Sequence, residues 1–167
     1  MKHTKNIALA LIVVFILLGG LMLIARPKSE TPQVATAVGT LADLKAGEDT
    51  FDFGSVSMAA GKVSHTFKVK NEGADPVVVT KMFTSCMCTS ASITTKEGKM
   101  GPFGMPGHGF IPAINRVITP GEEAAVEVVF DPAAHGPAGV GRIERVVTLE
   151  SGDSEPLKLG FGATVTP

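Results

Sequence analysis

The feature that most constrains this fold is a set of short segments in which apolar and polar residues alternate. In residues 63–70, one face carries Val, His, Phe and Val, and the other carries Ser, Thr, Lys and Lys. Side chains of a β-strand point alternately to opposite faces of a sheet, so this pattern indicates a half-buried antiparallel strand. Further strands are predicted at 50–53, 76–83, 91–95, 124–130, 142–149 and 157–165.

Turn-forming residues separate these segments. Asn71-Glu72-Gly73, Pro120-Gly121 and Ser151-Gly152-Asp153 each follow or precede a predicted strand. No amphipathic helix is evident between them. About seven short strands that are divided by turns predict an all-β, Ig-like antiparallel β-sandwich.

The N-terminal part has a different character. Residues 7–25 are nineteen residues without a charged side chain, and a helix rising about 1.5 Å per residue would let them span a bilayer core of roughly 30 Å. We therefore expect 1–6 to be a cytoplasmic stub and 7–25 to be a single-pass transmembrane anchor. A cleaved signal peptide is the alternative, because lysines precede the run and Ala35-Thr36-Ala37 resembles a cleavage site.

Residues 26–48 are rich in small, polar and Pro residues and show no sustained period, which predicts a linker. The globular domain is then expected at 49–167. Two lysines before the apolar run nearly balance Arg26 and Lys28 after it, so charge alone does not orient the anchor. The very short N-terminal flank favours a cytoplasmic N-terminus, with the domain on the extracytoplasmic side of the cell membrane.

Composition excludes several classes of partner and activity. The formal net charge is −1, and no cluster of Lys or Arg occurs in the globular part, so nucleic acid is not an expected partner. There is no Trp and no Tyr to stack on bases. The motifs of serine hydrolases, zinc proteases, phosphate-binding loops and dinucleotide-binding folds are not found. We therefore expect no enzymatic activity.

Six segments carry a resemblance to a known family. They are 51–56 (FDFGSV), 65–67 (HTF), 71–73 (NEG), 84–89 (TSCMCT), 120–122 (PGE) and 129–132 (VFDP). Their order resembles the bacterial domain-of-unknown-function family 1573, DUF1573, which is related to Hydin-type Ig-like domains. The resemblance covers most of residues 50–165. It implies an Ig-like sandwich, usually secreted or anchored, with no established catalytic activity. The chain departs from the family pattern at 96–116, where a Gly/Met-rich loop is inserted.

Cys86 and Cys88 are the two cysteines of the chain. On a strand, their spacing would place both thiols on one face with Cα atoms about 6.5–7 Å apart. Three interpretations remain open. The pair can form a strained disulfide or a thiol-redox couple in an oxidising compartment, bind Cu(I) or Zn(II) as thiolates, or fill the sandwich as two small, soft side chains.

The inserted loop adds further soft ligands, because Met100, Met105 and His108 lie within it and its glycines allow them to fold towards the cysteines. The candidate metal site therefore comprises Cys86, Cys88, Met100, Met105 and His108, with Cu(I) as the candidate metal. Zinc would need a further ligand such as His65 or His135, which favours copper. The alternative is a surface loop whose Met and Phe side chains cover one end of the sandwich.

Other polar residues are interpreted as structural. His65 is expected to be partly buried with a backbone hydrogen bond, His135 to be exposed, and Glu122 and Glu123 to form a solvated corner. The first expectation for function is a membrane-anchored binding module with a protein partner in the cell envelope. A Cu(I)-binding or delivery module is the alternative, and a thiol-redox module is the second alternative.

Overall fold

The computed structural model describes residues 38–167, which contain eleven strands. They are β1 (Leu44–Ala46), β2 (Thr50–Ser57), β3 (Val63–Asn71), β4 (Val77–Val79), β5 (Lys81–Thr84), β6 (Thr89–Thr95), β7 (Gly98–Phe103), β8 (Arg116–Ile118), β9 (Glu123–Phe130), β10 (Gly141–Glu150) and β11 (Leu157–Thr166). Single turns of 3-10 helix occur at Leu41–Asp43, Met58–Ala60 and Gly136–Gly139. Among residues 38–167, no helix has the length and apolar character to span a membrane. The predicted stub at 1–6, the anchor at 7–25 and most of the linker lie outside the described residues.

The strands form two main sheets that enclose one apolar core. The first sheet has the order β1-β3-β9-β6-β7 and the second has the order β2-β11-β10-β5, while β4 and β8 pair separately. All of these pairings are antiparallel except that of β2 with β11, which is parallel. The prediction of an all-β, Ig-like sandwich is confirmed, although the described residues contain more strands than the seven expected.

The alternating pattern determines which face of each strand enters the core. Phe67 and Val69 of β3 are fully buried, whereas Lys68 and Lys70 between and beyond them are exposed. The neighbouring strand β9 buries Ala124, Val126, Val128 and Phe130. Full burial of a Val or Phe side chain contributes about 1.5–3 kcal/mol. A register slip of one residue would lose this contribution along the whole strand, so the pattern specifies the pairing.

The predicted linker at 26–48 extends too far along the chain. Leu44 begins β1 and pairs with Asn71 of β3, and Leu41 and Leu44 are both buried. The turn between them begins at Thr40, whose N–H donates to the Asp43 carboxylate at 2.8 Å. Two buried leucines on one short turn supply the apolar area that a linker lacks, so the folded domain begins before residue 49.

The predicted insertion at 96–116 is only partly a loop. Strand β7 forms a hairpin with β6 and buries Phe103, leaving 104–115 as the connection to β8. Gly101 makes the hairpin possible, because its φ is +122° and a Cβ there would lie 3.0 Å from the Ala91 carbonyl oxygen. Gly and Pro interrupt the alternation in this segment, and for that reason the sequence pattern did not indicate a strand.

The predicted strand at 76–83 is in fact two strands. Thr80 separates β4 from β5, and its N–H donates to the Glu150 carbonyl at 2.7 Å. The apolar residues on both sides of Thr80 are buried, so composition alone did not reveal the break. The consequence is that β5 joins the second sheet, beside β10, and ends immediately before the two cysteines.

Candidate functional site

Cys86 and Cys88 lie in the turn between β5 and β6, and their sulfur atoms form a disulfide. The N–H of Thr89 donates to the Cys86 carbonyl at 3.1 Å, which closes a β-turn around Met87. The Cα atoms of the cysteines are 5.2 Å apart, within the range that a disulfide spans. The expectation of an extended strand with a longer separation is therefore wrong, because the chain turns between the cysteines.

Hydrogen bonds from the residues before the cysteines hold this turn. Thr84 is fully buried, and its Oγ1 lies 3.0 Å from the carbonyl oxygens of both Cys86 and Thr89. Ser85 donates its N–H to the Val146 carbonyl and accepts the Val146 N–H at its Oγ, both at 2.9 Å. The Ser residue of the Thr-Ser-Cys-x-Cys-Thr motif thus holds the cysteine turn beside β10 through two hydrogen bonds.

A second segment reaches the cysteines from the end of β9. The Asp131 N–H donates to the Cys88 carbonyl at 2.9 Å, and the Asp131 carboxylate accepts the Ala133 N–H at 3.0 Å. This turn carries the chain to His135, whose Nε2 lies 3.2 Å from Cys86 Sγ. His135 is exposed, as expected. Its contact with Cys86 was not foreseen, because 49 residues separate the two in sequence.

The two sulfur atoms have different surroundings. Cys86 Sγ accepts the N–H of Cys88 at 3.2 Å and lies beside the His135 imidazole. Cys88 Sγ lies 3.6 Å from the hydroxyl of Thr89. Both cysteines are buried, at 6% and 3% exposure, yet Met87 between them is 52% exposed. The disulfide therefore lies just beneath the surface, and Cys86 is the sulfur with more hydrogen-bond donors around it.

The described His, Cys and acidic residues form one group that could hold a metal ion. It comprises Cys86, Cys88 and His135, whose ligand atoms all lie within 4.8 Å of one another. His108 is not in this group; it is exposed, and its N–H donates to the Met105 carbonyl at 3.2 Å.

The two methionines of the predicted metal site lie in and after β7. Met100 faces Ile93 across the hairpin, and its side chain packs against the hydrophobic core. Met105 follows β7 and is half-buried. Packing in the core therefore explains the position of Met100. The imidazole that lies next to the cysteines is that of His135.

His65 has a structural role, but its partners differ from the expected ones. Its ring stacks on Phe51 with centroids 3.7 Å apart. Its Nε2 lies 2.8 Å from the Glu48 carboxylate, so the predicted backbone hydrogen bond is wrong. Edge contacts with Phe53 and Phe67 complete an aromatic cluster. The resembling segments at 51–56 and 65–67 thus meet in the core and not at a reactive site.

Glu122 is buried at 4% exposure, so the prediction of a solvated corner is wrong for this residue. Its carboxylate accepts the Lys96 N–H at 2.9 Å, the Thr119 N–H at 3.0 Å and the Thr119 hydroxyl at 2.7 Å. Burial by itself would raise the pKa of Glu122, but these hydrogen bonds and the nearby Lys96 ammonium outweigh it and hold the pKa below its ordinary value. Glu122 therefore has a structural role, because its carboxylate links the turn at Lys96 to the turn at Thr119.

A surface groove of about 450 Å³ lies over β2, β10 and β11. Its two arginines already have partners. Arg142 pairs with the Asp52 carboxylate at 2.9 Å, and Arg145 donates to the Glu144 carbonyl at 2.7 Å. The Gly54 N–H and Arg142 keep the pKa of Asp52 below its ordinary value. The buried Nε of Arg145 has no hydrogen-bond partner among the described residues.

Comparison with solved structures shows the fold. A protein of unknown function from Porphyromonas gingivalis W83 is 13% identical, with a TM-score of 0.52 over 81% of this chain and 51% of that one. This chain thus spans about half the length of that protein. The ASH / PapD-like domain of human CEP192 is 10% identical, with a TM-score of 0.40 over 74% of this chain and 85% of its own. The CooA pilin subunit from enterotoxigenic Escherichia coli is 10% identical, with a TM-score of 0.38 over 75% and 98%.

Comparison with curated proteins gives no match. Residues 44–104 match the model of a family described as "Protein of unknown function (DUF1573)". The matched region runs from β1 to the end of β7 and includes the cysteine turn, whereas His135 lies beyond it. The family predicted from the sequence motifs is therefore supported over residues 44–104, which match the DUF1573 model.

Proposed function

We propose that this chain is a membrane-tethered, extracytoplasmic interaction module that exchanges its Cys86–Cys88 disulfide with the thiols of a partner protein. One observation carries the proposal. The disulfide lies in a turn just beneath the surface, and the exposed His135 places Nε2 at 3.2 Å from Cys86 Sγ. Reactive cysteines occur next to such hydrogen-bond donors and near solvent.

The size of the disulfide loop argues against a purely structural role. A disulfide stabilises a fold mainly by restricting the unfolded chain, and the restriction grows with the length of the closed loop. Cys86 and Cys88 are two positions apart, and a loop of that size contributes only about 1.5 kcal/mol. Domains of this size have stabilities of about 5–15 kcal/mol. The fold therefore gains little from the bond, which favours a chemical role.

The chemistry is a thiol–disulfide exchange. A partner thiolate attacks one sulfur of the pair, forms a mixed disulfide with it and displaces the other sulfur as a thiolate. A second partner thiol then attacks the mixed disulfide, so that the module gains two electrons and the partner becomes oxidised. The Cys88 N–H and His135 would hydrogen-bond the Cys86 thiolate, and a stabilised thiolate is the better leaving group. We therefore propose that the partner thiolate attacks the Sγ atom of Cys88 and that Cys86 leaves as the thiolate.

The compartment follows from two arguments. Residues 7–25 have the length and apolar character of a single-pass anchor. Disulfides persist in oxidising compartments and are rare in the cytosol, and the Cys86–Cys88 bond therefore supports the proposed extracytoplasmic placement. Protease treatment of intact bacterial spheroplasts should digest the domain, and deletion of residues 7–25 should release the protein from the membrane fraction. Protection of the domain in spheroplasts would contradict this placement.

The redox proposal is tested by equilibrating the full chain, in mild detergent, with glutathione buffers of graded potential. Mass spectrometry after alkylation counts the free thiols. We expect a reversible two-thiol transition with a midpoint above about −300 mV, since structural disulfides lie below that value. The Cys86→Ser/Cys88→Ser double variant gives the background. A pair that stays oxidised in the most reducing glutathione buffer would rule out exchange with partner thiols.

A further inference from the structure

We propose that the reduced form of this site binds one Cu(I) ion through Cys86, Cys88 and His135. The inference rests on the proposed function only in using the reduced state of the same cysteine pair. It replaces the ligands expected from sequence in the inserted loop with an imidazole from the segment after β9. The ligand atoms Sγ, Sγ and Nε2 already lie within 4.8 Å of one another.

The bonds that hold the turn do not depend on the disulfide. The Thr89 N–H donates to the Cys86 carbonyl, and the Asp131 N–H donates to the Cys88 carbonyl. Reduction adds two electrons, breaks the sulfur–sulfur bond and leaves two thiols, which lose their protons when a metal binds. Because these hydrogen bonds hold the backbone of both cysteines, we expect the two thiolates to remain close to each other after that bond is broken.

The spacing suits a single ion. Metal–sulfur bonds of about 2.3 Å and metal–nitrogen bonds of about 2.0 Å hold ligand atoms roughly 3.5–4 Å apart around one centre. After reduction the sulfurs must move apart by roughly 1.5–2 Å from their bonded separation, whereas Nε2 of His135 starts 3.2 Å from Cys86 Sγ. His135 is exposed and Met87 is half-exposed, so an ion can reach the site from solvent.

The donor set favours Cu(I) over Zn(II). Two thiolates and one imidazole are soft to intermediate ligands, and Cu(I) accepts such a three-coordinate set. Zinc is almost always four-coordinate, so with the three ligands in the described part of the chain it would need a water as the fourth ligand, whereas Cu(I) would not. The nearby Asp131 carboxylate accepts the Ala133 N–H and lies 3.8 Å from the Lys62 ammonium. It is therefore already engaged.

The test uses the full chain in detergent, reduced with a phosphine and kept free of oxygen. Cu(I) is titrated against a chromophoric Cu(I) chelator, and the ultraviolet thiolate-to-Cu(I) charge-transfer band is followed. We expect one equivalent per chain, with no binding by the Cys86→Ser/Cys88→Ser variant. His135→Ala should weaken binding more than about tenfold. His108→Ala and Met100→Leu, which remove ligands expected from sequence, should bind like the parent. Circular dichroism confirms that each variant is folded.

Three outcomes would overturn the inference. One is no binding by the reduced parent chain, and another is binding that survives His135→Ala but is lost in His108→Ala. The third is displacement of Cu(I) by an equal concentration of Zn(II). Failure of the redox proposal is separate. If glutathione cannot reduce the cysteine pair but the pair binds Cu(I) after phosphine treatment, the exchange proposal is refuted and the metal site is retained. If the pair is reduced reversibly but binds no Cu(I), the metal site is refuted and the exchange proposal is retained.

Discussion

The Nε2 atom of His135 lies 3.2 Å from the Sγ atom of Cys86, although the two residues are 49 positions apart in sequence. The contact joins the turn after β5 to the turn after β9. It brings an imidazole nitrogen to the cysteine that also accepts the Cys88 N–H. The reactivity of the pair should therefore depend on a residue outside the matched family region.

The first prediction concerns the reactivity of the reduced cysteines. Replacing His135 by Ala removes one hydrogen bond to the Cys86 thiolate, which is worth about 1 kcal/mol or roughly fivefold in the thiolate fraction. The rate should change by roughly two- to threefold, because a less stabilised thiolate is also more nucleophilic. Alkylation of the reduced chain, with the site of modification read by mass spectrometry, should slow at Cys86 by that factor. His108→Ala is the matched control and should leave the rate unchanged. Equal rates in the two variants would show that His135 does not act on the sulfur.

The second prediction concerns stability without the disulfide. The Cys86→Ala/Cys88→Ala variant, which places no hydroxyl in the buried site, should lose only about 1.5 kcal/mol of unfolding free energy with the disulfide, because the three-residue loop barely restricts the unfolded chain. The melting temperature should fall by less than about 10 °C. Thermal unfolding by circular dichroism measures both proteins. A variant that fails to fold would show that the bond is an essential part of the fold, contrary to the proposed role.

The third prediction concerns Asn71, which is fully buried at the end of β3. Its Nδ2 donates to the carbonyls of Asp75 and Ile118 at 2.9 and 2.8 Å, and its Oδ1 accepts the Gly73 N–H at 2.9 Å. Asn71→Ala leaves these groups unpaired and should cost about 3 kcal/mol. Chemical denaturation measures this difference. The exposed neighbour in Glu72→Ala should change stability by less than about 0.5 kcal/mol, and similar losses in both variants would contradict the assignment.

The fourth prediction concerns the pH dependence that Glu122 adds to stability. Its pKa is lower in the folded chain than its ordinary value, so the ionised form stabilises the fold. This contribution is complete above the unfolded pKa of about 4.3 and is lost as the pH falls through the lower folded value. Glu122→Gln should therefore be less stable than the parent chain at pH 7, and the difference should shrink towards pH 3.

Denaturation of both proteins across that pH range provides the measurement. Glu123→Gln is the matched control, since the Glu123 side chain is half-exposed and pairs with the Lys68 ammonium. Its difference from the parent should be small at every pH. If the stability difference between Glu122→Gln and the parent chain stayed constant with pH, the charge of Glu122 would not be the source of its stabilising effect.

The fold was largely predictable from sequence because alternation is a local signal. Phe67 and Val69 reveal the buried face of β3 from a few neighbouring residues. The same reasoning missed β7, where Gly101 and Pro102 replace the alternating residues, and β1, which is only three residues long. β1 is stabilised by pairing with the distant strand β3, which no local pattern records, whereas β7 is stabilised by its hairpin with the neighbouring strand β6.

The site was only partly predictable. Cys86 and Cys88 were identified from their spacing, and the family match now supports the motif that contains them. His135 could not be selected over His108, because its position depends on how β9 ends and on the hydrogen bond from Asp131 to Cys88. The Cu(I) site, the membrane anchor and the extracytoplasmic placement stay predictions.

The cysteine turn is fastened at several points: Ser85 to Val146 of the second sheet, and Cys88 to Asp131 at the end of the first. A synthetic hexapeptide of residues 84–89 would contain the motif but none of these anchors, and it would lack the imidazole. Only the folded domain assembles the donors around the sulfurs. Moving the six-residue motif into another protein would therefore transfer the two cysteines without the hydrogen-bond donors and the imidazole that surround them here.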